Sequence, residues 1–322
     1  MRTSHVGSFP LSYSRENVER VLRDLAEVGI DVPPYPQLRS FVDIFMEPLE
    51  SRGLVRRERG FYFSDAKSLE ERPPAVKIEE AELSVELARR LGFSGLRGPV
   101  TGALTLASRT YLSRDTSLGV RATALADPDL VSGFFREYAE RAVRYLSGLG
   151  YSVVFLDEPA LTLVVGRKAM YGWTEDSIVE LLSRVARAAW GSEVGVHVCG
   201  RLSPKIVELL AMADGVKYLS FEFHATPANV ELLRRDLLEQ YDKVVSPGIV
   251  STTSLRVESA EEAYRTLAAV YEKTGGRVDL VSADCGFGGL RGALGDEEKE
   301  YELALSKLRV VVEATKRLAS RR

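Results

Sequence analysis

The sequence predicts one α/β domain, a (β/α)8 TIM barrel over residues 1–322 with an insertion near residues 33–75. From residue 93 onward, six short β-branched or apolar runs alternate with helical patterns of ordinary length, as in parallel α/β folds. Two further strand patterns nearer the N-terminus bring the total to eight, the number of strands in that barrel. A doubly wound open sheet has the same alternation and is the main alternative.

The strands and several helix starts can be assigned in chain order. The predicted strands span residues 3–8, 30–32, 96–102, 152–157, 193–199, 216–222, 243–250 and 278–284. Asp127 precedes a proline and is typical of an N-cap, Ser259 with Glu262 forms a capping box, and Asp296 caps the long C-terminal helix. Within the insertion, residues 54–64 predict a hairpin that turns at residues 58–60.

The composition indicates a soluble protein with a large core. The chain is 45% hydrophobic and carries a formal net charge of −3, which gives no electrostatic footprint for nucleic acid or an anionic membrane. No apolar run approaches the roughly 20 residues that cross a bilayer, and residues 1–10 lack the apolar stretch of a signal peptide. We therefore expect a cytoplasmic protein.

Amide side chains are scarce in this sequence. Asn17, Asn229, Gln37 and Gln240 are the complete set of Asn and Gln, while Arg and Glu are abundant. This balance is typical of proteins from thermophiles.

Both cysteines stand where a predicted strand ends. His197 and Cys199 lie two residues apart, so on a strand they project to the same side and can face one ion. Cys285, together with a carboxylate from a nearby strand end, would complete a set of donors that suits zinc. A disulfide between Cys199 and Cys285 is the structural alternative, since intracellular disulfides do occur in hyperthermophiles.

In a barrel the carboxyl ends of the strands form the active face. Taken singly, each polar residue there has a structural explanation, such as a helix cap or a hydrogen-bonded filler. Together they predict an active site; the residues are Ser8, Asp157, Glu158, His197, Cys199, Glu222, Asp284 and Cys285.

Seven short motifs follow one another along the chain: HVGSFP at 5–10, GPVT at 98–101, DEPAL at 157–161, HVC at 197–199, FE at 221–222, RVES at 256–259 and DCG at 284–286. In this order they resemble the C-terminal catalytic barrel of cobalamin-independent methionine synthase, and the resemblance runs essentially end to end. It implies a zinc ion held by four side chains, namely His197, Cys199, Glu222 and Cys285. It also implies that homocysteine is bound by the turn Val6, Gly7 and Ser8 and by Asp157.

The implied chemistry is methyl transfer to the thiol of L-homocysteine, giving L-methionine. A thiol is largely protonated at neutral pH, and coordination to zinc removes its proton. Asp157 would pair with the substrate's ammonium group, and backbone N–H groups near Ser8 suit its carboxylate. Glu222 is the ligand we expect to be displaced most easily, because thiolates and imidazole suit zinc better than a carboxylate does.

The chain departs from the family pattern at several positions. Thr105 stands where an aromatic platform for the pterin is expected, Leu163 replaces a carboxylate, and Thr253 replaces a histidine proton donor. Gln37 is the best match for a homocysteine-binding glutamate of the family. His224, two residues beyond Glu222, is a candidate replacement for the missing acid, and an exposed loop histidine is the alternative.

These departures predict a methylated corrinoid as the methyl donor, free or on a carrier protein, and not a folate triglutamate. A methyltetrahydropterin leaves as a poor anion that needs a general acid, whereas a methyl-cobalt corrinoid leaves without taking up a proton.

Two alternative functions remain. A corrinoid-dependent methyltransferase acting on another thiol, such as coenzyme M, has a related zinc pattern, although the turn at residues 6–8 and Asp157 favour an amino-acid thiol. A non-catalytic protein with a structural zinc is the other alternative, although ligands spread over three strand ends fit a closed structural site poorly.

Overall fold

The computed structural model describes residues 1–166 and 168–321. In chain order the strands are β1 (Arg56–Glu58), β2 (Phe61–Phe63), β3 (Arg97–Thr101), β4 (Thr110–Tyr111), β5 (Val153–Asp157), β6 (Glu193–Val198), β7 (Val216–Glu222) and β8 (Val244–Gly248). The main sheet has five parallel strands in the order β3-β5-β6-β7-β8. Each strand is followed along the chain by helical structure, as the alternating pattern predicts.

Between β8 and β3, neighbouring segments of the barrel are connected by isolated parallel β-bridges. One set joins residues 245 to 278, 248 to 282 and 281 to 3; another joins 4 to 32 and 34 to 97. The barrel class is confirmed, but segments 3–8, 30–32 and 278–284 are wrong as regular strands, so the regular ladder stays open between β8 and β3. Two features interrupt it: Leu280 has a φ of 52°, and Pro33, Pro34 and Pro36 lack the N–H that a ladder needs.

Helices cover the outside of this sheet. The α-helices are α1 (Arg15–Val28), α2 (Asp43–Ser51), α3 (Glu79–Leu91), α4 (Ala103–Arg109), α5 (Pro128–Leu130), α6 (Arg136–Leu149), α7 (Leu161–Val164), α8 (Glu175–Ala186), α9 (Pro204–Met212), α10 (Arg235–Gln240), α11 (Ala260–Lys273) and α12 (Glu297–Ala319). A π-helical stretch, Val131–Phe135, joins α5 to α6, and 3-10 turns span Ser68–Glu70, Thr116–Ala122, Ala124–Ala126, Pro227–Leu232 and Phe287–Leu290. None of the helices described here has both the length and the apolar character needed to cross a bilayer.

The predicted helix caps are confirmed. The Asp127 side chain accepts from the N–H of Leu130, and Asp296 accepts from two N–H groups in the first turn of α12. Ser259 and Glu262 form the reciprocal capping box before α11. These short-range signals depend on neighbouring residues alone, which is why the sequence predicts them well.

The insertion forms a small sheet beside the barrel. The predicted hairpin is present as β1 and β2, which pair antiparallel around residues 58–61. β2 also pairs in parallel with β4, which follows α4 on the connection that leaves the carboxyl end of β3. The insertion is therefore attached to the side of the barrel from which the active-face loops emerge.

Side chains on strand β5 alternate between an outer and an inner core. On β5, Val154 and Leu156 belong to the large core between sheet and helices, whereas Val153 and Phe155 belong to a small core inside the ring. Successive strand residues face opposite sides, so Asp157 shares the inner face with Val153 and Phe155. This alternation decides which polar residues reach the interior of the barrel.

Candidate metal centre and substrate pocket

The end of β6 directs two potential metal ligands into the barrel. Val196 and Val198 pack in the outer core, so His197 and Cys199, which alternate with them, face inward. Cys285 follows segment 278–284, which completes the ring beside β8. One donor atom from each of the three residues lies within 4.8 Å of the other two. Within residues 1–166 and 168–321 no other group of three such donors comes together.

The two cysteines are free and face a common point. Their Sγ atoms lie 3.1 Å apart, and Nε2 of His197 lies 3.0 Å from Sγ of Cys199. A disulfide requires a separation of about 2.05 Å, so the disulfide alternative is wrong. Two sulfur atoms and an imidazole nitrogen form a donor set that fits zinc.

The second ring nitrogen of His197 is held by the neighbouring strand. Its Nδ1 lies 3.1 Å from the hydroxyl of Ser220 on β7, and both residues are buried. Such a partner fixes the ring orientation and leaves Nε2 directed at the metal position. The imidazole is therefore held with Nε2 facing Sγ of Cys199, an orientation in which it could bind a metal.

A hydrogen bond links the two cysteine thiols. The hydrogen bond with Cys199 and the adjacent His197 lower the pKa of the Cys285 thiol well below its ordinary value. The same hydrogen bond, together with burial, raises the pKa of the Cys199 thiol. These directions make Cys285 the more acidic of the two thiols, and the thiolate is the form that binds a metal.

Glu222 lies at the same mouth but outside this group of three. It ends β7, and its carboxylate accepts a hydrogen bond from the hydroxyl of Thr226 at 3.2 Å. The structure therefore brings together three of the four residues that the resemblance implies as ligands.

A cavity of about 410 Å³ opens directly over the three donors. Val6 and Ser8 line it, as does Gln37, whose N–H donates to the carbonyl oxygen of Gly7 at 3.0 Å. A side chain at Gly7, where φ is +150°, would place its Cβ 2.7 Å from Oε1 of Gln37, so a larger residue there would displace the Gln37 side chain. Gln37 thus lines this cavity beside the turn of residues 6–8.

Asp157 lines the same cavity from the end of β5. It is 5% exposed, and its buried Oδ1 has no hydrogen-bond partner. Burial raises the pKa of this carboxyl to about 7. An unpaired carboxylate at this position is suited to accept hydrogen bonds from a cationic ligand group.

His224 is turned away from the cavity and is absent from its lining. Its Nε2 lies 3.5 Å from Oε1 of Glu258, whose other oxygen accepts from Nζ of Lys307 at 2.8 Å. Glu258 and Lys307 are both buried. The imidazole of His224 therefore packs against the buried Glu258–Lys307 ion pair and lies apart from the three potential metal ligands.

Thr105, Leu163 and Thr253, the three positions that depart from the family pattern, also lie outside the cavity lining. Thr105 is buried, and its hydroxyl and N–H both donate to Glu158, whose carboxylate also accepts from the N–H of Leu104 at the start of α4. Leu163 is 42% exposed, and Thr253 lies in a serine and threonine loop. Thr105 therefore serves the fold, as a partner of Glu158.

Arg97 is a buried residue near this site that was not predicted from the sequence. It lies at the start of β3, is 0% exposed, and its three guanidinium nitrogens have no hydrogen-bond partner. An arginine inside an otherwise buried strand pattern, two residues before Pro99, was the available signal. Other cavity residues that were not predicted include Arg39, Phe41 and Arg291.

Comparison with known families and proteins gives a consistent result. The family profile described as "Cobalamin-independent synthase, Catalytic domain" matches residues 12–317. A methionine synthase of Methanothermobacter thermautotrophicus is 26% identical over 305 residues, covering 93% of this chain and 88% of that protein. A methionine synthase of Sulfolobus acidocaldarius is 25% identical, covering 84% of this chain and 74% of that protein.

Solved structures share the fold. A B12-independent methionine synthase from Shewanella sp. W3-18-1, in complex with selenomethionine, has a TM-score of 0.73 at 17% identity, covering 99% of this chain and 98% of that one. A putative vitamin-B12 independent methionine synthase from Listeria monocytogenes has a TM-score of 0.68 at 14% identity, with the same coverage. At these identities the likeness supports the architecture alone.

Proposed function

We propose that this chain, which belongs to the cobalamin-independent methionine synthase family, transfers a methyl group to the thiol of L-homocysteine and forms L-methionine. One observation carries the proposal. The donor atoms of His197, Cys199 and Cys285 lie within 4.8 Å of one another on the wall of a cavity that Asp157 and Gln37 also line. A site for a sulfur nucleophile and a site for an amino-acid head group thus adjoin.

The proposed metal is zinc, with His197, Cys199 and Cys285 as ligands and Glu222 as the fourth. The donor set suits zinc, and the cysteines are unbonded. Coordination to such an ion would supply a thiolate at neutral pH by acidifying the substrate's thiol. Glu222, the oxygen donor of the set, is held by Thr226 in the described structure.

The chain's own residues would orient the amino-acid end of the substrate. Asp157 offers a buried carboxylate oxygen without a partner, which suits an ammonium group. The amide nitrogen of Gln37 also lacks a partner and is suited to donate to a carboxylate. Val6, Gly7 and Ser8 supply the turn against which the substrate would lie.

The proposed methyl donor is a methylated corrinoid, free or bound to a carrier protein. Thr105 is buried against Glu158 and offers no aromatic surface to a pterin. Among the cavity-lining residues, His197 is a proposed metal ligand and Asp157 a proposed ammonium partner, so neither is free to protonate a leaving pterin. A corrinoid leaving group needs no proton, which fits this lining.

Donor assays test this proposal. The zinc-loaded protein should form methionine from homocysteine with methylcobalamin, and much more slowly with methyltetrahydrofolate or its triglutamate. Efficient turnover with the folates alone would overturn the corrinoid proposal. Coenzyme M as acceptor is the matched comparison, since it lacks an ammonium group and should be a poor substrate. The composition favours running these assays at elevated temperature.

Metal analysis tests the ligand set. His197→Ala and Cys285→Ser should weaken zinc binding by more than the roughly 10–100-fold that loss of an outer-shell partner costs. His224→Ala is the matched histidine control and should retain the metal. X-ray absorption should detect an added sulfur in the metal's first shell when homocysteine is supplied. A purely structural zinc would gain none.

The proton-donor role of His224 for a pterin substrate stays a prediction, and its position outside the cavity lining does not favour it. His224→Ala should then lower methionine formation from methyltetrahydrofolate and leave the rate with methylcobalamin unchanged. An unchanged rate with both donors would dismiss this role.

The cytoplasm is the proposed location, because the substrate and both kinds of methyl donor are soluble metabolites.

A further inference from the structure

Arg97 is a buried cation whose hydrogen-bonding capacity is unused. It is 0% exposed, and Nε, Nη1 and Nη2 all lack a partner among the described residues. The carbon at the centre of its guanidinium group lies 3.7 Å from the centroid of the Phe155 ring. A buried unpaired charge costs several kcal/mol, and the cation–π contact offsets only part of that. A partner such as an ion, a water molecule or a ligand would lower the cost of burying this charge.

The strand register places this guanidinium below the substrate pocket. Val100 packs in the outer core, so Arg97 faces the inside of the ring. β3 pairs with β5 such that Thr101 is opposite Asp157, and Phe155 is the next inward residue below Asp157. The guanidinium over Phe155 therefore lies beneath Asp157. Burial lowers the pKa of Arg97 to about 10, so it remains protonated at neutral pH.

Asp157 is the complementary case, a buried acceptor that lacks a hydrogen-bond donor. Its Oδ1 is buried and has no hydrogen-bond partner, and none of the Arg97 guanidinium nitrogens has a partner among the described residues, so the two side chains are not directly hydrogen-bonded through these atoms. The two opposite charges nevertheless attract each other through the interior. Opposite charges that are buried together, each with free hydrogen-bonding positions but out of direct contact, match the setting in which ordered water bridges two groups.

We propose that Arg97 is a positioning residue that holds the Asp157 carboxylate, through a bridging water, in the orientation that accepts the ammonium group of an amino-acid substrate. This role rests on the proposed function, since it takes homocysteine as that substrate. A carboxylate held in place loses less conformational freedom when the ligand binds, so part of the ordering cost is removed in advance. The planar guanidinium, stacked on Phe155, can donate to the water while its own position stays fixed.

Calorimetry with two matched thiols tests this role. Homocysteine carries the ammonium group; 4-mercaptobutyrate has the same thiol and carboxylate and lacks it. On the zinc-loaded protein, Arg97→Met should weaken homocysteine binding by about tenfold or more, the worth of a hydrogen bond to a charged group. The same substitution should change the affinity for 4-mercaptobutyrate by less than about twofold. Arg97→Lys should restore part of the homocysteine affinity.

A double-mutant cycle separates a positioning role from a structural one. In an Asp157→Asn background, Arg97→Met should weaken homocysteine binding by less than about a further twofold, because the group through which Arg97 acts is already gone. Equal weakening of both thiols by Arg97→Met, or fully additive losses with Asp157→Asn, would overturn the role. Arg97→Gln, which keeps a polar group of intermediate length, serves the same cycle if the methionine variant does not fold.

The outcomes also separate this role from the proposed function. If the wild-type protein binds homocysteine and Arg97→Met leaves that affinity unchanged, the role of Arg97 alone is rejected. If the wild-type protein does not bind homocysteine, the proposed function is rejected together with this role.

Discussion

His5 should make the fold sensitive to mild acid. The side chain is 0% exposed; its Nε2 lies 3.2 Å from the carbonyl oxygen of Ser8, and its ring stacks on Phe287 with centroids 4.9 Å apart. Burial, followed by repulsion from Arg97 and His197, lowers the pKa of His5 to about 3. The folded protein therefore holds this imidazole neutral, and its Nδ1 has no partner to stabilise a proton.

The sign and the size of the effect follow from proton linkage. An unfolded histidine has a pKa near 6.5, so as the pH falls the unfolded state takes up the proton first. The stabilisation is complete above about pH 6.5 and is lost progressively as the pH falls towards 3. With a pKa of about 3 in the folded state, the loss between pH 7.5 and pH 5.0 is about 2 kcal/mol.

Urea unfolding followed by circular dichroism at pH 7.5 and pH 5.0 measures this loss. The metal-free protein should be used, because zinc ligands also exchange protons with the metal. His5→Phe keeps a ring and His5→Asn keeps a polar group, and both remove the titrating site. The wild type should lose about 2 kcal/mol more on acidification than either variant. Losses that agree within about 0.5 kcal/mol, the usual limit of additivity, would refute the reasoning.

Two further substitutions test how the fold supports the site. Gly102→Ala would place a Cβ 2.1 Å from Cδ of Glu158 and should destabilise the protein by about 1–3 kcal/mol through overpacking; Gly148→Ala, which meets no atom within 4 Å, is the matched control and should be neutral or stabilising in thermal unfolding. Lys307→Met should cost about 3–5 kcal/mol because it leaves Glu258 buried without its cation. Replacing both partners with apolar residues should recover much of that loss, and an equal loss in the double variant would contradict the explanation.

The metal-binding residues were predictable because their signals are local. His197 and Cys199 share a face by strand periodicity, and Cys285 follows another predicted strand end. A parallel barrel gathers the carboxyl ends of its strands at one mouth, so recognising the fold class was sufficient to predict that the three residues meet. The capping residues Ser259 and Asp296 were predicted for the same reason, since each acts within four residues along the chain.

Contacts between distant segments were not predictable in this way. The placement of Gln37 depends on its pairing with Ser8, and the orientation of His224 depends on Glu258 and Lys307. An arginine within a buried strand pattern was a signal that Arg97 is unusual, but its unpaired position beneath the pocket depends on strand register and on depth inside the ring.

The amino-acid order by itself therefore determined the barrel, its caps and the sulfur and imidazole donors, because periodicity and short-range hydrogen bonding are properties of neighbouring residues. Only the tertiary structure decided that the cysteines remain unbonded, that Glu222 lies apart from the other three proposed ligands, and that a buried cation lies below Asp157. Those outcomes depend on distances between strands that are far apart in the chain, and a linear pattern does not contain such distances.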